Sequence, residues 1–314
     1  MAMRITLIGS GLVGSSWGVV FSRAGFEATL YDPDPAALEA ALELARRAAS
    51  ELAASGLLDG QSAESVLGRL HASSDLARAL EGAGYIQESA PERLEVKQAL
   101  YRDIAALAPR NAVIGSSTSG LPASSFTADI DGRERCLVVH PINPPHLVPL
   151  VELVPAPWTD LAAIDRAERL MREVGQVPIR LRREIPGFVV NRLQGALLSE
   201  AFRLVEDGVC SAADLDAAVA DGLGLRWAFM GPFETIDLNA PGGIADYCRR
   251  FGAMYHGFAS EAQPRAWSDA LVGRVEAERR QTTGETALGT RKAWRDRVLA
   301  RLVAARRSIL RDER

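Results

Sequence analysis

The chain has 314 residues, is 47% hydrophobic, and carries a formal net charge of −4. That length suits two domains and that apolar content a real core, whereas arginines interleaved with acids leave no basic footprint for nucleic acid, and no apolar run approaches the ~18 residues that cross a bilayer. Cys136, Cys210 and Cys248 show no CxxC pairing, indicating neither a disulfide framework nor a metal site, and a strand beginning by residue 4 leaves no room for a signal peptide, so the expectation is a cytoplasmic protein with no nucleic-acid or membrane partner.

Residues 3–14 read Met-Arg-Ile-Thr-Leu-Ile-Gly-Ser-Gly-Leu-Val-Gly, an apolar strand entering Gly9, Gly11 and Gly14. Eighteen residues past Gly14, Asp32 closes a second apolar run over 26–31. The spacing predicts a βαβ unit in which each part has its own job. Gly9 permits the tight turn, Gly11 lets backbone N–H groups approach a pyrophosphate, and Gly14 lets the helix pack against the strand. The first helical residues, Leu12 and Val13, then sit at a helix N-terminus, whose unpaired N–H groups and positive dipole end favour phosphate. Asp32 is placed to accept hydrogen bonds from a ribose diol. Neither Pro33 nor Asp34 is an arginine for a 2′-phosphate, so the expected cofactor is NAD.

Helical spacing continues over 35–58 and again over 63–70, predicting a helical hairpin inserted between strands. Short apolar runs at 85–86, 112–115, 136–140, 150–154 and 177–181 alternate with helical stretches at 94–107 and 161–174. That alternation predicts an α/β fold: a Rossmann-type, doubly wound, mainly parallel sheet covered on both faces. Beyond Pro186-Gly187 no strand is evident. Helices are expected at 188–205, 244–251, 267–278 and 290–309, with Ser211 and Asp214 forming a capping-box-like start for another. The reading is a dinucleotide-binding domain over 1–185 and an all-helical domain over 186–314. Its apolar-faced helices are expected to form a homodimer.

Within 137–154, His140 ends an apolar strand, the edge at which open α/β sheets bind ligands. Prolines 141, 144, 145 and 149 force an irregular loop, and Glu152 then falls inside an apolar run, where a carboxylate is costly unless paired. A loop that returns Glu152 to His140 would orient the imidazole and stabilise the imidazolium, making a poised general base. His146 is expected to be simply exposed, and His71 and His256 to be surface residues without acidic partners. Two polar patches complete the candidates: Ser116 to Gly120, at another strand's end, and Asn191-Arg192 on the helix that opens the second domain.

These segments resemble the 3-hydroxyacyl-CoA dehydrogenase superfamily, and within it the lambda-crystallin branch, whose enzymatic members look like L-gulonate 3-dehydrogenases. The resemblance rests on Gly9 to Trp17, Gln87-Glu88 with Pro91-Glu92, Ser117-Thr118-Ser119, His140 to Pro155, Gly187 to Gln194 and Gly222 to Glu234. It implies His140 as base, Glu152 as its partner carboxylate, and Ser119 and Asn191 as donors to the substrate's reacting oxygen. It also implies Asn143 near the nicotinamide, with Glu92 and Lys97 lining the cofactor side. Arg226 follows Gly222 and Gly224 in a segment that acyl-CoA enzymes fill without an equivalent arginine, so a guanidinium there suits a substrate carboxylate. The implied activity is NAD-dependent oxidation of a small 3-hydroxy acid such as L-gulonate. Acyl-CoA or L-carnitine dehydrogenation and a non-catalytic crystallin-like role are the alternatives.

Overall fold

The computed structural model describes residues 3–312. They divide into two compact units: one runs to Asn191 and includes Leu299–Ala304, and the other comprises Arg192–Val298 and the residues from Ala305 onward.

The first unit is built on eight strands: β1 (Arg4–Ile8), β2 (Ala28–Tyr31), β3 (Leu70–Ser73), β4 (Ala83–Glu88), β5 (Val113–Ser116), β6 (Cys136–Pro141), β7 (Leu150–Pro155) and β8 (Val177–Arg180). Their order is β3-β2-β1-β4-β5-β6-β7-β8. All neighbours are parallel except β6 and β7. The order reverses between β1 and β4, which makes the C-terminal ends of those strands the crevice where such sheets take ligands.

Seven helices flank the sheet: α1 (Leu12–Arg23), α2 (Pro35–Ala54), α3 (Ala63–Leu67), α4 (Leu76–Leu80), α5 (Leu94–Leu107), α6 (Ser124–Thr127) and α7 (Leu161–Glu173). Alternate strand residues feed two separate cores, as the period of a strand dictates. Ile5, Leu7, Tyr85 and Val139 join Trp17 and Phe21 of α1 in one core. Ile8, Ile86, Ile114 and Val138 join Tyr101 of α5 in the other. Both faces being covered explains why these strands read as nearly continuous apolar runs. The start of α2 is fixed locally, with Pro35 at its first turn and the Asp34 carboxylate accepting from Ala36 N.

One expectation needs correcting. The stretch 63–70 is not a single helix: α3 stops at Leu67, and Leu70 opens β3, which pairs in parallel with β2. Only Leu70 of that four-residue edge strand is buried, so no alternating pattern marked it.

The second unit holds α8 (Val190–Glu206, whose first two residues belong to the first unit), α9 (Ala212–Ala217), α10 (Gly224–Trp227), α11 (Pro232–Leu238), α12 (Gly243–Glu261), α13 (Asp269–Thr282) and α14 (Leu288–Asp312, whose residues 299–304 belong to the first unit). Ser211 caps α9 by accepting from Asp214 N at 3.1 Å. A π-helical stretch, Ala218–Leu223, leads into α10. Among the described residues, no helix is long and apolar enough to cross a membrane.

Candidate active site

The glycine turn after β1 is shaped by close approach. Gly9 has a φ of +94°, and a Cβ there would lie 2.6 Å from the Ser89 carbonyl oxygen; a Cβ at Gly14 would lie 1.8 Å from the Gly9 carbonyl oxygen. Gly11 is different, because a Cβ there would meet nothing within 4 Å. Its lack of a side chain leaves open space in front of the turn. Gly11 is also the N-cap of α1, and no side chain caps that end. The leading amides, those of Leu12 and Val13 among them, therefore remain for an anion.

Asp32 follows β2 and faces the same turn. Its Oδ2 accepts from Ser10 N at 3.1 Å and Ser10 Oγ at 2.7 Å, and its Oδ1 accepts from Asp34 N at 3.1 Å. A carboxylate oxygen takes about two hydrogen bonds, so Oδ1 keeps capacity for a ribose hydroxyl. An open cradle, an uncapped helix and a held carboxylate together fit a dinucleotide.

His140 and Glu152 are brought face to face by the one antiparallel pairing in the sheet, where they stand directly opposite in register. His140 Nδ1 lies 2.8 Å from Glu152 Oε2. Glu152 is fully buried, and its Oε1 accepts from the backbone N–H groups of Val189 at 2.8 Å and Val190 at 3.1 Å. A carboxylate that serves as acceptor on both oxygens places the imidazole proton on Nδ1 and leaves Nε2 with its lone pair. The backbone reaches this arrangement through Phe188, a non-glycine residue at φ +51°. Such a conformation costs about 1–3 kcal/mol. Here it sets the Phe188 ring 5.5 Å from the imidazole and precedes the two amides that hold Glu152.

The turn after β5 is clamped from two sides. Glu92 Oε1 accepts from Thr118 Oγ1, Ser119 N and Gly120 N, while Asn191 Nδ2 donates to Ser119 O at 2.7 Å. Ser119 is thus fixed through both backbone groups and is itself exposed. Burial works to raise the Glu92 pKa, but the Thr118 hydroxyl, the Lys97 ammonium and the two amides hold its carboxyl below the usual range.

Lys97 reaches the same turn from α5. It is completely buried, bonding Glu88 at 2.7 and 3.0 Å, with Glu92 at 3.7 Å. Glu88 also accepts from Ser116 Oγ at 2.5 Å and Ala90 N at 2.7 Å. Its ammonium therefore ties the buried Glu88 to the half-exposed Glu92 and braces the turn. Glu88 and Phe188 carried no site expectation, although a carboxylate ending an apolar strand is the same cue that singled out Glu152.

Asn143 lies exposed in the loop between β6 and β7. His146 is not simply exposed: it is half-buried, with Nδ1 3.1 Å from Ser16 Oγ of α1. His71 does have an acidic partner, Glu27 at 2.7 Å on the neighbouring strand's approach, and both are exposed. Arg226 belongs to α10 in the second unit, where its charge reaches the Tyr247 hydroxyl on α12.

Comparison with known proteins agrees with this geometry. Residues 4–185 match the model of the 3-hydroxyacyl-CoA dehydrogenase NAD-binding domain, and residues 187–286 match that family's C-terminal domain. The chain is 41% identical over 309 residues to lambda-crystallin of Oryctolagus cuniculus, covering 97% of each protein. It is 38% identical over 278 residues to L-carnitine dehydrogenase of Streptomyces griseus, covering 87% of this chain and 82% of that one. Among solved structures it resembles 5-formyl-3-hydroxy-2-methylpyridine 4-carboxylic acid 5-dehydrogenase, an NAD+-dependent dismutase, with a TM-score of 0.83, 28% identity and 98% coverage of both chains. The dinucleotide cradle and the full-length matches place the chain in the lambda-crystallin branch of the 3-hydroxyacyl-CoA dehydrogenase family, as an NAD-dependent oxidoreductase acting on a CH–OH group.

Proposed function

We propose that this protein oxidises the 3-hydroxyl of a small polyhydroxy acid, L-gulonate before others, with His140 as general base. The observation that carries this reading is the buried His140–Glu152 pair, in which Nδ1 faces the carboxylate and Nε2 does not. Nε2 removes the substrate hydroxyl proton while Glu152 stabilises the imidazolium that forms. Ser119 Oγ and the second Asn191 N–H, the first being spent on Ser119 O, donate to the reacting oxygen. The amides that follow Gly11 and the Asp32 carboxylate would hold NAD, which would supply the hydride acceptor for the carbinol hydrogen. Asn143 serves the nicotinamide side.

Arg226 supports the preference for a free acid, since a guanidinium pairs bidentately with a carboxylate. The relatives include both L-carnitine dehydrogenases and a 3-hydroxyacyl-CoA dehydrogenase, so the choice of a hydroxy acid over an acyl thioester rests on Arg226. A panel of L-gulonate, L-carnitine and 3-hydroxybutyryl-CoA, followed by the absorbance of NADH, tests it. L-gulonate is expected to give the highest kcat/KM, and Arg226→Met to lose activity on free acids alone. Faster turnover of the thioester, with indifference to Arg226→Met, would reassign the substrate.

The assembly proposed is a homodimer formed by the helical unit, working in the cytoplasm, where the free cysteines stay reduced. α12 buries none of its 19 residues, although Phe251, Tyr255 and Phe258 line it with apolar surface. A second copy of this chain is the occupant that covers such a face symmetrically.

A further inference from the structure

Beneath the glycine turn, the Ser117 hydroxyl lies at a junction whose proton directions are set by its neighbours. Gln87 Nε2 is 3.1 Å from the Val139 carbonyl oxygen and 2.7 Å from Ser117 Oγ. Only an N–H faces a carbonyl oxygen favourably, so this atom is the amide nitrogen, and its second hydrogen goes to Ser117. The other end of the amide accepts from the Tyr85 hydroxyl. Trp17 Nε1, which can only donate, is 3.1 Å from the same Ser117 Oγ.

Those two donors fill both lone pairs of the Ser117 oxygen. Its single proton therefore goes to its remaining neighbour, Ser89 Oγ at 2.9 Å. Ser89 accepts there, and its own proton points out of the junction. No acceptor for that proton is recorded among the described residues.

Ser89 occupies a telling position. It directly follows β4 at the point where the strand order reverses, and its N–H donates to Ile8 O at 2.7 Å. Its carbonyl is the group that forbids a side chain at Gly9. Ser89 is half-exposed, whereas Trp17, Tyr85 and Gln87 behind it are buried. The buried groups aim a hydroxyl outward beside the dinucleotide turn.

We propose that Ser89 is a further cofactor-binding residue: its hydroxyl, aimed by the Trp17–Gln87–Ser117 junction, donates a hydrogen bond to an oxygen of the ribose–pyrophosphate backbone of NAD. Ser117 acts through Ser89 as a positioning residue. A hydroxyl whose direction is already fixed loses less rotational freedom on binding than a free rotor.

Calorimetric titration of NAD, without substrate, into the wild type, Ser89→Ala, Ser117→Ala and the double variant tests the proposal, alongside melting temperatures of the cofactor-free proteins. Ser89→Ala should weaken NAD by roughly 2- to 12-fold, the ratio equivalent to one net hydrogen bond. Ser117→Ala should cost less, and the double variant should bind no worse than Ser89→Ala, because both changes remove one interaction. Should Ser89→Ala melt early, Ser89→Cys, which keeps the shape with a weak donor, should show the same loss of affinity. Wild-type affinity in both Ser89 variants, or losses that add in the double variant, would overturn the proposal.

Discussion

The two units spend their side chains in opposite ways. In the first, several polar groups go inside in pairs: Glu88 with Lys97, Glu152 with His140, and Gln87 with the half-buried Ser117. In the second, apolar groups stay outside, with Phe233, Leu238, Trp227 and the aromatic strip of α12 all exposed. A buried polar network is costly unless every member is satisfied, and it then fixes one geometry. An exposed apolar face is instead the feature that the proposed homodimer would cover.

The largest effect that would sharpen this contrast concerns Lys97. Lys97→Met leaves the Glu88 charge buried without its cation, and about 3–5 kcal/mol of stability should be lost in urea unfolding. Replacing both partners with methionine should recover most of that loss. Equal damage from the single and double changes would mean that the pair contributes through packing rather than charge.

Phe251→Asp should turn a dimer into a monomer in sedimentation equilibrium while leaving the far-ultraviolet circular dichroism unchanged. A monomeric wild type would break the comparison on its second side. The smallest effect is a pH dependence. Because the Glu92 carboxyl is held low in the folded chain, its contribution is fully present above the ordinary carboxylate range and is lost as pH falls through its depressed folded value. Glu92→Gln should therefore reduce stability at neutral pH and flatten the acid limb of a stability–pH curve. An unchanged acid limb would show that the clamp on Ser119 does not depend on charge.

Much of the first unit was legible because its signals are local. The glycine spacing, the acid at residue 32 and the apolar runs all reflect geometry within one βαβ unit or one strand. Glu152 stood out because a carboxylate inside an apolar run demands a partner, and His140, ending the strand before the proline-rich loop, is placed to supply one. The edge strand β3 was not legible, since its four residues carry one buried side chain and become a strand only by pairing with β2, some forty residues earlier. The Ser117 junction was equally hidden: its donors lie on α1 and β4, far away in the chain. Phe188 gave no cue at all, because a left-handed phenylalanine is a property of what surrounds it.

The most direct test of the account compares His140→Ala with the wild type in single-turnover NADH formation, with NAD affinity measured on the same samples. The prediction is a rate about 10²–10⁴-fold lower, at unchanged affinity for NAD. A rate within a few-fold of the wild type would show that the imidazole braced by Glu152 is not the proton acceptor.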